Sequence, residues 1–178
     1  MNKYILMSIK SEKSYTGLII SNYDSDDVNP LLPLLSEEFP DWSIDRIKSY
    51  IQLVIKNKKN VAGVLVAKNE AFYYVGLLVY TFQQIQTKKI NKNNKDDLEN
   101  CLVVENLVAS SPILQKQVFL LLIEEVFNIA KKNKCKFIEL PKLDDAYQLI
   151  KDKYANQIKN VNGFRAYLKL SNLLHNYQ

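Results

Sequence analysis

Hydrophobic positions along this chain follow two rhythms, one helical and one of short, nearly continuous apolar runs. Ile44, Ile47, Ile51, Val54 and Ile55 share one stripe at helical spacing, and Ser43 stands before them as an N-cap. Leu31, Leu32, Leu34 and Leu35 predict a shorter helix ahead of it, capped by Ser25 or Asp26. Pro30 suits the start of that helix, whereas Pro33 is awkward inside it. The segment Phe39-Pro40-Asp41-Trp42 separates the two helices. Gly17 to Ile20 reads as a strand, and Tyr4 to Ile9 as a further strand or a docking arm. Val61 to Ala67 and Phe72 to Phe82 read as an antiparallel pair around Lys68-Asn69-Glu70, where Asn69 tolerates a positive φ.

The strongest pattern lies between Cys101 and Leu140. Leu102, Val103, Val104, Leu107 and Val108 form the run of a strand buried on both faces. Ser110 or Ser111 then caps a long helix with Pro112 in its first turn. Asn133 ends it among Lys131, Lys132 and Lys134, which complement the negative end of the helix dipole, and a second strand follows. A strand running into a helix leaves a ligand site at the junction, because backbone N–H groups there attract anions. Thr87 to Asn100 is almost wholly polar and reads as a loop outside the core. Asp144 to Lys153 predicts a short helix, and Gly163 to Leu170 a closing strand. The order β-α-α-β-β-β-α-β-α-β describes one mixed α/β (α+β) domain over residues 17–170, with an N-terminal extension (1–16) and a C-terminal tail (171–178).

Composition narrows the chemistry. A chain of 178 residues with 47% hydrophobic content can bury a full core. The net charge of +5 permits acidic partners. Its lysines are dispersed among Asn and Ile, however, with none of the interleaved aromatic and basic residues of a nucleic-acid surface, which argues against nucleic acid. The two cysteines, Cys101 and Cys135, fall in apolar strands, as expected of reduced core thiols in a cytoplasmic protein. No export signal and no membrane span are expected, since Glu124 and Glu125 interrupt the longest apolar run. No metal site is expected either. His175 is the only histidine, and Asp24, Asp26 and Asp27 lack the Gly and bidentate Glu of a calcium loop.

The element order, the run Val104-Glu105-Asn106-Leu107-Val108 and the closing Asn162-Gly163-Phe164 with Tyr167 resemble the GCN5-related N-acetyltransferase superfamily. The resemblance spans roughly Gly17 to Leu170. It implies a single domain around a twisted mixed sheet, in which the run at Glu105 corresponds to a strand splayed from its neighbour by a bulge. It also implies transfer of an acetyl group from acetyl-CoA to an amine on a small molecule or a protein. Within that resemblance, Leu107 and Val108 pair through their backbone with the pantetheine arm. Glu105 is the candidate base, while Tyr154, ahead of Tyr147, is the candidate acid for the departing thiolate.

One motif departs from the family. The family's Arg/Gln-x-x-Gly-x-Gly/Ala, whose amides bind the CoA pyrophosphate, aligns with Leu114 to Phe119 or, shifted by one, begins at Gln115. Gln117 and Phe119, or Val118 and Leu120, then stand where glycines belong, leaving Gln115, Lys116, Gln117, Val118 and Phe119 as candidate cofactor contacts. Phe119 is expected to close the phosphate position. A second reading follows, in which a chain of this fold has lost activity and serves as a binding or assembly module, with a protein partner or as a homodimer. Phe39, Pro40 and Trp42 lie where the family builds its acceptor pocket, but packing in the core is the preferred account of them, because Trp is usually well buried.

Overall fold

The computed structural model describes residues 14–15, 17–57, 61–87, 97–141, 158–162 and 165–169. Strands β1 (Ser14–Tyr15), β2 (Leu18–Asn22), β3 (Ala62–Lys68), β4 (Tyr74–Thr87) and β5 (Asp97–Ala109) pair antiparallel in succession. β6 (Phe137–Pro141) joins β5 in parallel, and the crossover this requires is helix α3 (Pro112–Lys132). β7 (Ile158–Asn162) and β8 (Arg165–Lys169) form a hairpin whose second strand pairs with β6. The sheet order is β1-β2-β3-β4-β5-β6-β8-β7.

Helices cover both faces, so the central strands alternate between two cores. Leu65, Leu78, Leu102, Val104 and Leu107 meet Val118, Phe119, Leu122, Ile123 and Val126 of α3. Val64, Val66, Leu77, Val79 and Val108 meet the other pair of helices, α1 (Leu32–Glu38) and α2 (Ile44–Lys56). Because both faces are buried, β3, β4 and β5 read as continuous apolar runs. The first turns of α3 lie close against β4. A Cβ on Gly76 would come under 3.0 Å from Cγ1 of Val118, so only glycine lets the helix approach that far.

Several expectations change in the structure. The first helical segment divides into a 3-10 turn, Asn29–Leu31, and α1, which places Pro30 and Pro33 each in a first turn where no N–H is needed. Neither Ser25 nor Asp26 caps it; instead Asp27 Oδ1 accepts from the Asn29 N–H at 3.0 Å. Ser43 does cap α2, accepting from the Arg46 N–H, but Ile44 lies outside the buried stripe of Ile47, Ile51, Val54 and Ile55. Ser111 occupies the N-cap of α3 without a side-chain hydrogen bond.

The β3–β4 loop is longer than expected. Asn69 Oδ1 accepts from the Tyr73 N–H, and the positive φ falls at Phe72, not at Asn69. The expected loop from Thr87 to Asn100 is also not all loop, since Gln84 to Thr87 ladders with Asp97 to Asn100. This ribbon runs past the end of β3, and Gln83, Gln84, Leu98 and Asn100 on it are exposed, so nothing imposes an apolar alternation on them. β7 is an additional strand ahead of the expected closing strand, in a stretch to which the sequence assigned no element. The expected strand at Tyr4 to Ile9, the helix at Asp144 to Lys153, and Gly163 and Phe164 lie outside the described residues.

Candidate active site

β5 leaves its neighbours in two ways at the same level. Its parallel pairing with β6 covers only Cys101–Val103 against Phe137–Glu139, so from Val104 onward the two strands diverge among the described residues. On the other side, Val79 pairs with Asn106 but Tyr80 with Val104, which makes Glu105 the extra residue of a β-bulge. The bulge resets the alternation. Val104 and Leu107 point to the α3 core and Val108 to the α1–α2 core, while Glu105 and Asn106 both turn to the α1–α2 face.

A polar network forms there. The Thr81 hydroxyl donates to Glu105 Oε1 at 2.9 Å, and the Tyr50 hydroxyl donates to Asn106 Oδ1 at 2.7 Å. The Asn106 amide donates in turn to Glu38 Oε1 at 3.4 Å. Burial, then the charge of Glu105, then that of Glu38, pushes the Tyr50 phenol up to about 12, so it stays a proton donor at neutral pH. Burial also raises the Glu38 carboxyl, with the Asn106 amide acting in the opposite direction. Phe39 and Trp42 stack at 4.4 Å, and each meets the Tyr50 ring edge-on at 5.8 Å. The Arg46 guanidinium covers the Trp42 ring at 3.9 Å. An aromatic block and two carboxylates thus flank the bulge.

Beyond the bulge no described strand pairs with the β6 side of β5. Ser110 N–H donates to Val75 O, so Val108, two residues earlier, also directs its backbone to β4. Leu107 and Ala109 consequently turn their N–H and C=O groups to the side from which β6 has diverged, so Val108, expected to pair outward with Leu107, gives that position to Ala109.

The start of α3 differs from a glycine-rich phosphate loop. The helix begins at Pro112, so Leu114 to Phe119 lie within its first two turns. The Leu114 N–H bonds to Ser111 O, and amides from Lys116 onward fall inside the helical ladder. Lys116 is exposed and Gln115 half-buried, whereas Val118 and Phe119 belong to the core, Phe119 only 2% exposed. Phe119 therefore does not project over the helix start, as the sequence suggested. Gln117 and Leu114 line a separate cleft of about 360 Å³ with Gly17, Leu18, Asn69, Glu70 and Ala71. Tyr147 and Tyr154 lie outside the described residues. Among the described residues no cluster of three or more His, Cys, Asp or Glu side chains is arranged to hold a metal ion. Among the described residues no helix is long and apolar enough to cross a membrane.

Compared with solved structures, the chain aligns with a GNAT family acetyltransferase of Staphylococcus aureus at a TM-score of 0.60 and 16% identity, covering 84% of this chain and 97% of that one. The chain has the GCN5-related N-acetyltransferase fold. The same fold appears in an aminoglycoside 6'-N-acetyltransferase of Acinetobacter baumannii, with a TM-score of 0.59 and 16% identity over 83% of this chain and 97% of that one. It appears again in AtaT, solved with acetyl-methionyl-tRNAfMet, with a TM-score of 0.57 and 10% identity over 90% of this chain and 99% of that one. At these identities the likeness is one of fold. No protein-family model matches the sequence, and no curated protein matches it.

Set against the acetyltransferase fold, the divergence of β5 from β6 and the bulge opposite it are the features that sequence reasoning had attached to Val104–Val108 through resemblance. Asn106, Tyr50 and Glu38 were not singled out. One signal for them existed, since two adjacent polar residues inside an apolar strand cannot both alternate out of the core without a bulge.

Proposed function

We propose that the protein is an N-acetyltransferase that moves an acetyl group from acetyl-CoA to an amine. The observation supporting this reading is the coincidence of the β5–β6 divergence with a bulge that presents Glu105 and Asn106 beside it. Acetyl-CoA, when bound, supplies the acyl group as a thioester. The outward backbone groups of Leu107 and Ala109 would hold its pantetheine arm by strand-like pairing, and Gln115 and Lys116 stand at the helix start to receive its phosphates. Glu105 takes a proton from the acceptor ammonium, leaving an amine competent to attack. Thr81 donates to the Glu105 carboxylate and fixes its orientation. Tyr154 is the proposed proton donor to the departing thiolate. The test is calorimetric titration with acetyl-CoA, followed by thiol release in an amine screen. Glu105→Gln should lower turnover by about 10²-fold, the scale of a general base; an unchanged rate removes Glu105 from the mechanism.

A second reading has its own support. The helix start has no glycine cradle, and its ordered turns hold Val118 and Phe119 in the core. A chain built this way also suits a non-catalytic binding module, and failure to bind acetyl-CoA at millimolar concentration would select that reading. The enzyme of this fold named for aminoglycosides and AtaT, solved with acetyl-methionyl-tRNAfMet, share the architecture but not the ligand, so the acceptor has to be sought on this chain's own α1–α2 face.

A further inference from the structure

A helix start holds a pyrophosphate through backbone amides outside the helical ladder, and the start of α3 has few of them. Of the four N–H groups that an α-helix leaves there, Pro112 has none and that of Leu114 is bonded to Ser111 O. The amides of Ser111 and Ile113 remain. Beside the second stands the Ile113 side chain, 92% exposed, which offers an anion no polar contact. Side chains add little. Val118 and Phe119 are in the core, and Leu114 and Gln117 line the cleft shared with Gly17, Asn69 and Glu70. Half-buried Gln115 and exposed Lys116 are what is left. The β6 side of β5 is the opposite case. Leu107 and Ala109 present both backbone groups there, and the N–H of Ser111, whose backbone is still extended, follows in the same direction. That row is about 13 Å long at the rise of a strand, and it suits an extended ligand built of amides, as the pantetheine arm is.

We propose that the acyl donor is recognised as a pantetheine thioester, so that thioesters lacking the nucleotide half of CoA are donors at the same site. This rests on the acetyl-transfer reading. The reacting groups are identical in both donors: the amine nitrogen bonds to the acetyl carbon, the carbon–sulfur bond breaks, and the pantetheine sulfur leaves as a thiolate that takes up a proton. What the phosphates add falls to the Lys116 ammonium. An exposed cation on a solvated anion gives a preference of less than about five-fold, the scale of surface ion pairs.

Calorimetric titration of the full chain compares acetyl-CoA with S-acetylpantetheine. Their affinities should agree within about five-fold, and any preference for acetyl-CoA should vanish in high salt and in Lys116→Ala. Ala109→Pro removes an N–H that β4 does not use, so a folded variant, checked by its melting curve, should lose about ten-fold or more in affinity for both donors alike. A larger preference for acetyl-CoA, up to binding of acetyl-CoA alone, overturns the proposal and leaves the acetyl-transfer reading standing. Binding of neither donor overturns both. A folded Ala109→Pro variant that keeps its affinity puts the donor elsewhere and also overturns the proposal. The comparison in the native chain decides the matter whether or not that variant folds.

Discussion

Replacing Gly76 with alanine forces the sheet and α3 apart, and the size of the effect follows from the contacts. The new Cβ falls under 3.0 Å from Val118 Cγ1, while carbon pairs rest at about 3.5–4.0 Å, so at least about 0.5 Å must open between helix and strand. Escape sideways is blocked by Val108 O at 3.3 Å and Ala67 Cβ at 3.4 Å. Val118 is fully buried, and a β-branched side chain in a helix has one favoured rotamer, so it cannot swing aside. Overpacking of this kind costs about 1–3 kcal/mol, and the absence of an exit puts Gly76→Ala at about 2–3 kcal/mol. Val118→Ala alone leaves a small cavity, at about 2 kcal/mol on the scale of buried methyl deletions. In the double variant the alanine methyl occupies the vacated space. It should therefore be more stable than the summed losses imply, by about 1–2 kcal/mol. Urea denaturation of the native chain, both single variants and the double variant measures this directly, provided the m-value stays constant. Losses that add to within about 0.5 kcal/mol, or a neutral Gly76→Ala, would refute the close approach of α3 to β4.

Other outcomes follow from the same packing and charges. Phe119→Ala should destabilise by about 3–5 kcal/mol because the ring is in the core, whereas Ile113→Ala, at 92% exposure, should stay within about 0.5 kcal/mol; comparable losses would misplace the helix face. Tyr50 keeps its proton in the folded chain up to about pH 12, while an unfolded tyrosine loses it near 10.0. Unfolding in that window releases a proton, so the stability Tyr50 contributes is complete below pH 10 and declines as the pH rises towards 12. Denaturation between pH 9 and 11.5 should show a shallower decline for Tyr50→Phe, and parallel slopes would contradict the assignment. Lys136→Ala, which removes the 2.6 Å ion pair with Glu99, should cost less than about 1 kcal/mol and lose its effect in high salt, because the lysine is largely exposed.

Legibility in the sequence tracked how much each segment is constrained by a core. The stripe from Ile47 to Ile55, the helix from Pro112 and the runs in β3 and β5 were readable because packing on both sheet faces leaves only apolar residues there. The ribbon beyond Phe82 was not readable, since its ladder is held by backbone bonds and its side chains satisfy no periodicity. Pro33 misled because a proline reads as a helix breaker until the helix start is known, and a preceding 3-10 turn moved that start to Leu32. Glu105 was readable through the family resemblance. Its partners were not, because Tyr50 and Glu38 come to the bulge from other elements and no local pattern joins them. Phe119 was misjudged for a related reason. Its position in an aligned motif suggested a blocked surface, while the direction of its side chain depended on where α3 begins.

The bulge in β5 also separates what the strand needs from what the site needs. Without one of its two polar residues, the remaining alternation would still send Val104 and Leu107 to one core and Val108 to the other. A chain shortened by one residue there should fold with the same sheet and comparable stability, which denaturation of a Glu105 deletion would establish. The extra residue is therefore surplus to the architecture. Its effect is to give the strand two neighbouring polar side chains on one face, an arrangement that a regular strand cannot offer.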